Sequence, residues 1–152
     1  MTFREAVEAT PSVRNHYCAG LQALSAGDAT RIQCTSTRRL TGSVNVDEAL
    51  RQQQPNAHRW DFGIGYRRKN TEVAIWVEVH PASSTSISAM LAKLDWLKGW
   101  LATQAHELGR LTKGDYRWVS TDATIAITPN SRQAKQLAAV GLRGPTRMLN
   151  FA

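Results

Sequence analysis

The chain has 152 residues, 42% hydrophobic and 20% charged, with 19 Lys+Arg against 12 Asp+Glu and a formal net charge of +7. That length suits one domain over residues 1–152, and the composition excludes a disordered, collagenous or coiled-coil protein. No apolar run approaches the roughly 18 residues of a membrane span, the N-terminal MTFREAVEAT lacks the apolar stretch of a secretory signal, and Cys18 and Cys34 alone make neither a disulfide framework nor a four-ligand zinc site, so a reduced, cytoplasmic protein without a membrane partner is expected.

Val13, Tyr17, Leu21 and Leu24 recur at helical spacing after Pro11 and Ser12, which predicts a helix over 13–24 ended by Gly27 and Asp28. A Thr-rich, β-branched stretch predicts a strand over 31–40, with a turn at Gly42 and an extension at 44–46. A short helix follows over 47–54, closed by Pro55 and Asn56. WDFGIGYRR predicts a strand over 60–68 and EVAIWVEVH a stronger one over 72–80, joined by a polar turn into a β-hairpin. In the second strand Val73, Ile75, Val77 and Val79 share one face; Ala74, Trp76, Glu78 and His80 share the other.

Pro81 stops that strand, and the hydroxyls at 83–86 cap a long helix predicted to run to Leu111 on a stripe of Ile87, Met90, Leu91, Leu94, Leu97, Leu101, Ala105 and Leu108. Strands are then expected over 116–120 and 123–128, a helix over 132–140 and a last strand over 147–151. This order predicts an α/β protein with a central mixed sheet, flanking helices, and a C-terminal helix and strand beyond the core.

Asp61 begins the first hairpin strand, and Glu78 and His80 end the second, so the antiparallel pairing makes them cross-strand neighbours at one sheet end. Two adjacent carboxylates repel, and a divalent cation relieves that repulsion; hard oxygen ligands suit Mg²⁺. Glu78 is also a charge inside an otherwise apolar strand, which calls for a partner or a purpose.

This arrangement resembles the PD-(D/E)XK nuclease superfamily, the restriction-endonuclease-like proteins, whose core is α-β-β-β-α-β. The resemblance covers residues 10–120, mostly through element order. It implies that Asp61 and Glu78 hold Mg²⁺, or Mn²⁺ in its place, with the Val79 carbonyl and an upstream acid, Glu48 before Glu5 or Glu8. Trp60 stands where the motif has proline, and His80 where it has lysine. Histidine as a residue type exchanges a proton near neutrality, so His80 is the expected water-positioning group, with Lys93 on the following helix as a migrated lysine. The function implied is metal-dependent hydrolysis of phosphodiester bonds in DNA; the alternative is a catalytically inactive nuclease-like fold that binds nucleic acid or protein.

The charge distribution agrees with a polyanionic partner. Residues 31–69 hold eight basic side chains against three acids, and residues 123–152 hold four and no acid. The expected phosphate contacts are Arg38, Arg39, Arg67, Arg68 and Lys69, extended by Arg132, Lys135, Arg143 and Arg147. Trp96 and Trp100 fall opposite the leucine stripe, which predicts burial under a terminal segment, a homodimer contact or a base-stacking surface. Gly63 and Gly65 lack the rest of a phosphate-loop motif and predict close packing inside a strand.

Overall fold

The computed structural model describes residues 1–122, 125 and 127–151, with Ser84 by its backbone alone. In chain order it forms α1 (Phe3–Glu8), β1 (Tyr17–Cys18), α2 (Ala26–Ala29), β2 (Ile32–Cys34), β3 (Leu40–Asn45), α3 (Val46–Leu50), β4 (Phe62–Arg68), β5 (Thr71–Val79), α4 (Ile87–Thr103), α5 (His106–Leu111), β6 (Thr112–Val119), α6 (Arg132–Ala139), β7 (Leu142–Thr146) and β8 (Leu149–Phe151). Short 3₁₀ turns at Thr37–Arg39 and Ser84–Ser86 lead into β3 and α4. A six-stranded mixed sheet runs β1-β3-β4-β5-β6-β7, and β2 and β8 make a separate parallel pair. The expected α/β class with a central mixed sheet and flanking helices is what forms. The predicted strand over 123–128 lies partly outside the described residues.

The β4–β5 hairpin is the spine. Its register, Phe62↔Val77 through Arg68↔Thr71, leaves a tight turn in which Lys69 takes φ 54. Strand alternation gives each face its own core. Phe62, Ile64, Tyr66, Val73, Ile75 and Val77 pack with Leu24, Ile32, Leu149 and Phe151. On the other face Ala74, Trp76 and Trp60 pack with α1, α4 and α5 through Phe3, Met90, Leu94, Leu97 and Leu108. Gly63 and Gly65 are the close-packing positions expected: an added Cβ would sit 2.6 Å from the Trp76 ring in one case and 2.5 Å from Phe3 Cγ in the other.

Three expectations fail for tertiary reasons. No helix forms over 13–24, because Val13 belongs to one core and Leu24 to the other, on opposite sheet faces. The segment instead pairs Tyr17 with Val44, donates the Tyr17 hydroxyl to the Thr41 carbonyl (2.7 Å), and turns at Gly20 with φ 52. The helix predicted to reach Leu111 divides after Thr103. The chain turns at Ala105, and α5 folds back against α1 with Leu108 buried and Gly109 where a Cβ would meet the Leu101 carbonyl at 3.2 Å. The strand predicted over 31–40 divides into β2, a 3₁₀ turn and β3.

Trp100 is 3% exposed and meets Trp76 edge-on, with ring centroids 6.2 Å apart. Half-buried Trp96 stacks on it and donates Nε1 to the Gln54 side chain at 2.9 Å. Trp100 is thus core of a single chain, covered from within, and Trp96 is the ring of that pair with surface left for a second copy. No helix among the described residues is long and apolar enough to cross a membrane.

Candidate active site

The hairpin register continues one step past Phe62↔Val77, which sets Asp61 opposite Glu78. At this end the ladder is completed by side chains. The Asp61 amide donates to Glu78 Oε1 at 3.0 Å, and the Val79 amide donates to Asp61 Oδ2 at 3.0 Å. The Asp61 carbonyl accepts the Val46 amide at 2.9 Å, which ties the start of α3 to the same point. Two carboxylates distant in the chain are therefore held together by reciprocal backbone bonds, as the sequence predicts.

The third member comes from α4. Lys93 Nζ lies 2.9 Å from Glu78 Oε2 and donates to the Arg59 carbonyl at 3.1 Å. The apolar residues Met90, Leu94 and Leu97 fix the rotation of α4 against the sheet, and Lys93 stands beside them, facing inward. Glu78 is 1% exposed, so this ammonium is its principal compensation. Burial, then the charge of Asp61, push the Glu78 carboxyl well above its ordinary value, and Lys93 only partly offsets them. Burial also raises the Asp61 carboxyl, against the opposing pull of Lys93 and the Val79 amide. The site is a carboxylate pair under electrostatic stress, partly relieved by one cation.

The other expected site residues are placed differently. His80 is half-buried at the strand end, but its Nδ1 lies 2.9 Å from its own neighbour's carbonyl at Pro81, and its ring meets Trp118 edge-on at 6.4 Å. Lys93, not His80, reaches the carboxylates. Glu48 is exposed in the first turn of α3, where Asn45 caps its amide, and among the described residues no group of three or more His, Cys, Asp or Glu is gathered for a metal. The nearer acid is Asp47, which sequence reasoning missed. Its amide reaches the Asp61 carbonyl at 3.5 Å, while its carboxylate is held by Arg51 and Arg59 at 2.9 Å each. The Arg59 carbonyl was also unforeseen, since backbone acceptors leave no mark in residue type.

The expected phosphate contacts divide into groups. Arg67, Arg68 and Lys69 occupy the hairpin tip, and Arg38 and Arg39 lie beside it just before β3, whose Leu40 pairs with Tyr66. Seven residue steps of strand separate Arg68 from Asp61, roughly 23 Å at the usual rise. These five residues do not meet the phosphate that Asp61 and Glu78 would meet. Arg67 is also paired with Glu72 at 3.4 Å and Arg68 with Asp115 at 2.8 Å. Arg132 and Lys135 are exposed on α6, Arg143 is exposed on β7, and Arg147 follows β7 at the sheet end that carries Val119 and Ser120.

No family model matches the chain, and no curated protein and no solved structure matches it significantly.

Proposed function

We propose that the chain is a metal-dependent nuclease that hydrolyses phosphodiester bonds in DNA, related to the PD-(D/E)XK proteins it resembles. One observation carries the reading: Asp61, Glu78 and Lys93 converge on one sheet end from the start of a strand, the end of its hairpin partner and the helix that follows. Further support is the order of the central elements: β3, β4 and β5 pair antiparallel, α4 follows β5 and β6 returns parallel to β5, with α1 in place of the helix expected over 13–24, and with β1, α2, β2 and α3 inserted before β4 and α5 before β6.

The donor chemistry fits a hard divalent cation. Asp61 and Glu78 place hard carboxylate oxygens side by side at the strand ends, and a positive group already sits against Glu78. Asp61 and Glu78 would hold Mg²⁺ or Mn²⁺, which when bound activates water and neutralises charge growing on phosphate. Lys93 now pairs with Glu78 at 2.9 Å. With that carboxylate engaged by a cation, the Lys93 ammonium is free to turn to a water or a phosphate oxygen, the role the resemblance gives to its lysine. Val79 holds the Asp61 carboxylate in place through its amide.

A second reading, a catalytically inactive binding module of the same fold, is favoured by one feature: each carboxylate already accepts protein donors. Plasmid nicking separates the two. The nuclease nicks in Mg²⁺ or Mn²⁺, stops in EDTA, and is abolished by Asp61→Ala with circular dichroism unchanged. Wild-type protein that shifts DNA in a salt-dependent manner yet never nicks it assigns the binding module.

A further inference from the structure

The sheet face opposite the carboxylate site carries an arginine cluster that the proposed chemistry does not use. Val77, Arg117 and Arg143 are in register across β5, β6 and β7, so all three project from the face of the second core. Asp115, two residues before Arg117, shares that face and is 4% exposed. Its Oδ1 accepts Arg117 Nε at 2.5 Å, and its Oδ2 accepts Arg68 Nη2 at 2.8 Å, so Arg68 reaches across β5 to join the cluster. Burial alone would raise the Asp115 carboxyl; its bonds to Arg117 and Arg68 and the nearby charge of Arg143 bring it below its ordinary value.

Three guanidinium groups thus surround one carboxylate whose two oxygens are each engaged by a different arginine. Each guanidinium has five N–H donors, so most donors of the cluster remain for another acceptor. Arg117 and Arg143 face each other on strands about 4.8 Å apart, and like charges placed side by side on a sheet repel. An anion between them removes that repulsion. Arg143 is exposed, and the Arg68 side chain is 46% exposed. Arg31, whose Nη1 donates to the Ser120 carbonyl at 3.2 Å, adds a fourth guanidinium at the carboxyl end of β6. Arg117 precedes Trp118, the register partner of Glu78, so the cluster and the carboxylates are backbone neighbours with side chains on opposite faces.

We propose that Arg68, Arg117 and Arg143, organised by Asp115, bind the phosphodiester backbone of duplex DNA to the side of the cleavage point. The inference rests on the nuclease reading for what the bound strand leads to. Arg117 lies toward the carboxyl end of β6, Arg143 pairs with it on β7, and Arg68 comes from the hairpin tip, so the bound backbone runs over the second-core face, away from Asp61 and Glu78 on the other. Arginine suits phosphate through its planar, paired donors.

The test is fluorescence anisotropy of a labelled duplex oligonucleotide with the full chain in EDTA, where nothing is cut, from about 50 to 200 mM salt. Each phosphate that the protein no longer neutralises makes the slope of log affinity against log salt shallower by about 0.9. Arg143→Ala is expected to leave one phosphate unneutralised, and Arg68→Ala/Arg143→Ala two, about 1.8 in slope. Arg4→Ala, on the exposed face of α1, leaves the slope unchanged. A wild type that does not bind the duplex, or variants whose slopes equal that of wild type, overturns the surface whatever the nicking assay gives. Slopes that fall as expected in a protein that never nicks DNA keep the surface and remove the nuclease reading instead.

Discussion

Replacing Lys93 by methionine removes one charge and keeps most of the side chain's length, so packing on α4 is nearly conserved. What changes is the electrostatics of Glu78, which is 1% exposed and loses the ammonium 2.9 Å away. Breaking a buried ion pair from one side costs about 3–5 kcal/mol when the remaining charge has no other compensation. Glu78 has one escape, protonation, and that makes the cost depend on pH. In the folded chain its carboxyl is raised above the ordinary 4.5 by burial and by Asp61. Between the unfolded and folded values the folded state binds more protons, so stability falls as pH rises through that window and levels off above it. Asp61, also raised, adds a decline of the same sign. Without Lys93 the folded value of Glu78 rises further, so the decline extends to higher pH. Urea unfolding of wild type and Lys93→Met should differ by about 3 kcal/mol or more near pH 8 and by clearly less near pH 5. Glu78→Gln keeps an acceptor for the Asp61 amide, and the double variant Lys93→Met/Glu78→Gln should recover most of the loss at pH 8, giving a coupling energy of about 2 kcal/mol or more. A difference below about 1 kcal/mol that is the same at both pH values would refute the reasoning, because it would mean that the pair is solvated.

Gly65→Ala should destabilise by about 1–3 kcal/mol in thermal or urea unfolding, since the new Cβ would meet Phe3 Cγ and Thr41 Oγ1 at 2.5 Å; Gly27→Ala, with nothing within 4 Å, should be neutral or stabilising. Asp115→Asn tests the acid side of the stability curve. The Asp115 carboxyl lies below its ordinary 3.8 because the bonds to Arg117 and Arg68 outweigh burial, so its contribution is complete above that value and lost as pH falls through the folded one. The variant should lose about 1–3 kcal/mol near pH 7 and show a flatter acid limb below about pH 4, whereas an unchanged acid limb would mean that Asp115 is not held by its arginines.

The hairpin and the carboxylate pair were legible in the sequence because both depend on local rules. Alternation over 62–68 and 71–79 sets the faces, a short polar turn sets the register, and register alone brings Asp61 opposite Glu78. Lys93 was visible as a residue type on the right element, but its selection over His80 depends on how α4 rotates against the sheet. His80 follows Glu78 by two residues and was expected to share its task; the turn at Pro81 bends its ring back to a backbone carbonyl instead. The segment 13–24 was misread because helical spacing of Val13, Tyr17, Leu21 and Leu24 is also met by a chain that crosses a sheet edge and serves both cores. Strand β7 is short and recruited by its partner, Leu142 by Tyr116, and such long-range pairing leaves little trace in five residues; β8 falls inside the strand expected over 147–151, and only its pairing with β2 was unforeseen. The capping box of Thr2 and Glu5 on α1, by contrast, was a local signal available in the sequence and overlooked.

The position of the site follows from the topology. β5 is antiparallel to β4 on one side and parallel to β6 on the other, so its carboxyl end lies beside the start of one neighbour and the end of the other. There the regular ladder gives out, and the amides of Asp61 and Val79 turn to carboxylate side chains. The crossover from β5 to β6 must return over the same face, which carries α4 across Glu78; six residues after Ile87, about 9 Å along the helix axis, the chain places Lys93 there. Two acids and one base meet at this point, Glu78 buried and Asp61 and Lys93 half-buried, and such a group serves either the fold or chemistry. The two differ in one measurable respect: a triad that serves chemistry exchanges its internal ammonium for an external cation. Mn²⁺ should therefore stabilise the wild type against unfolding and leave Asp61→Ala unaffected, and equal behaviour of the two proteins would leave the triad a structural element.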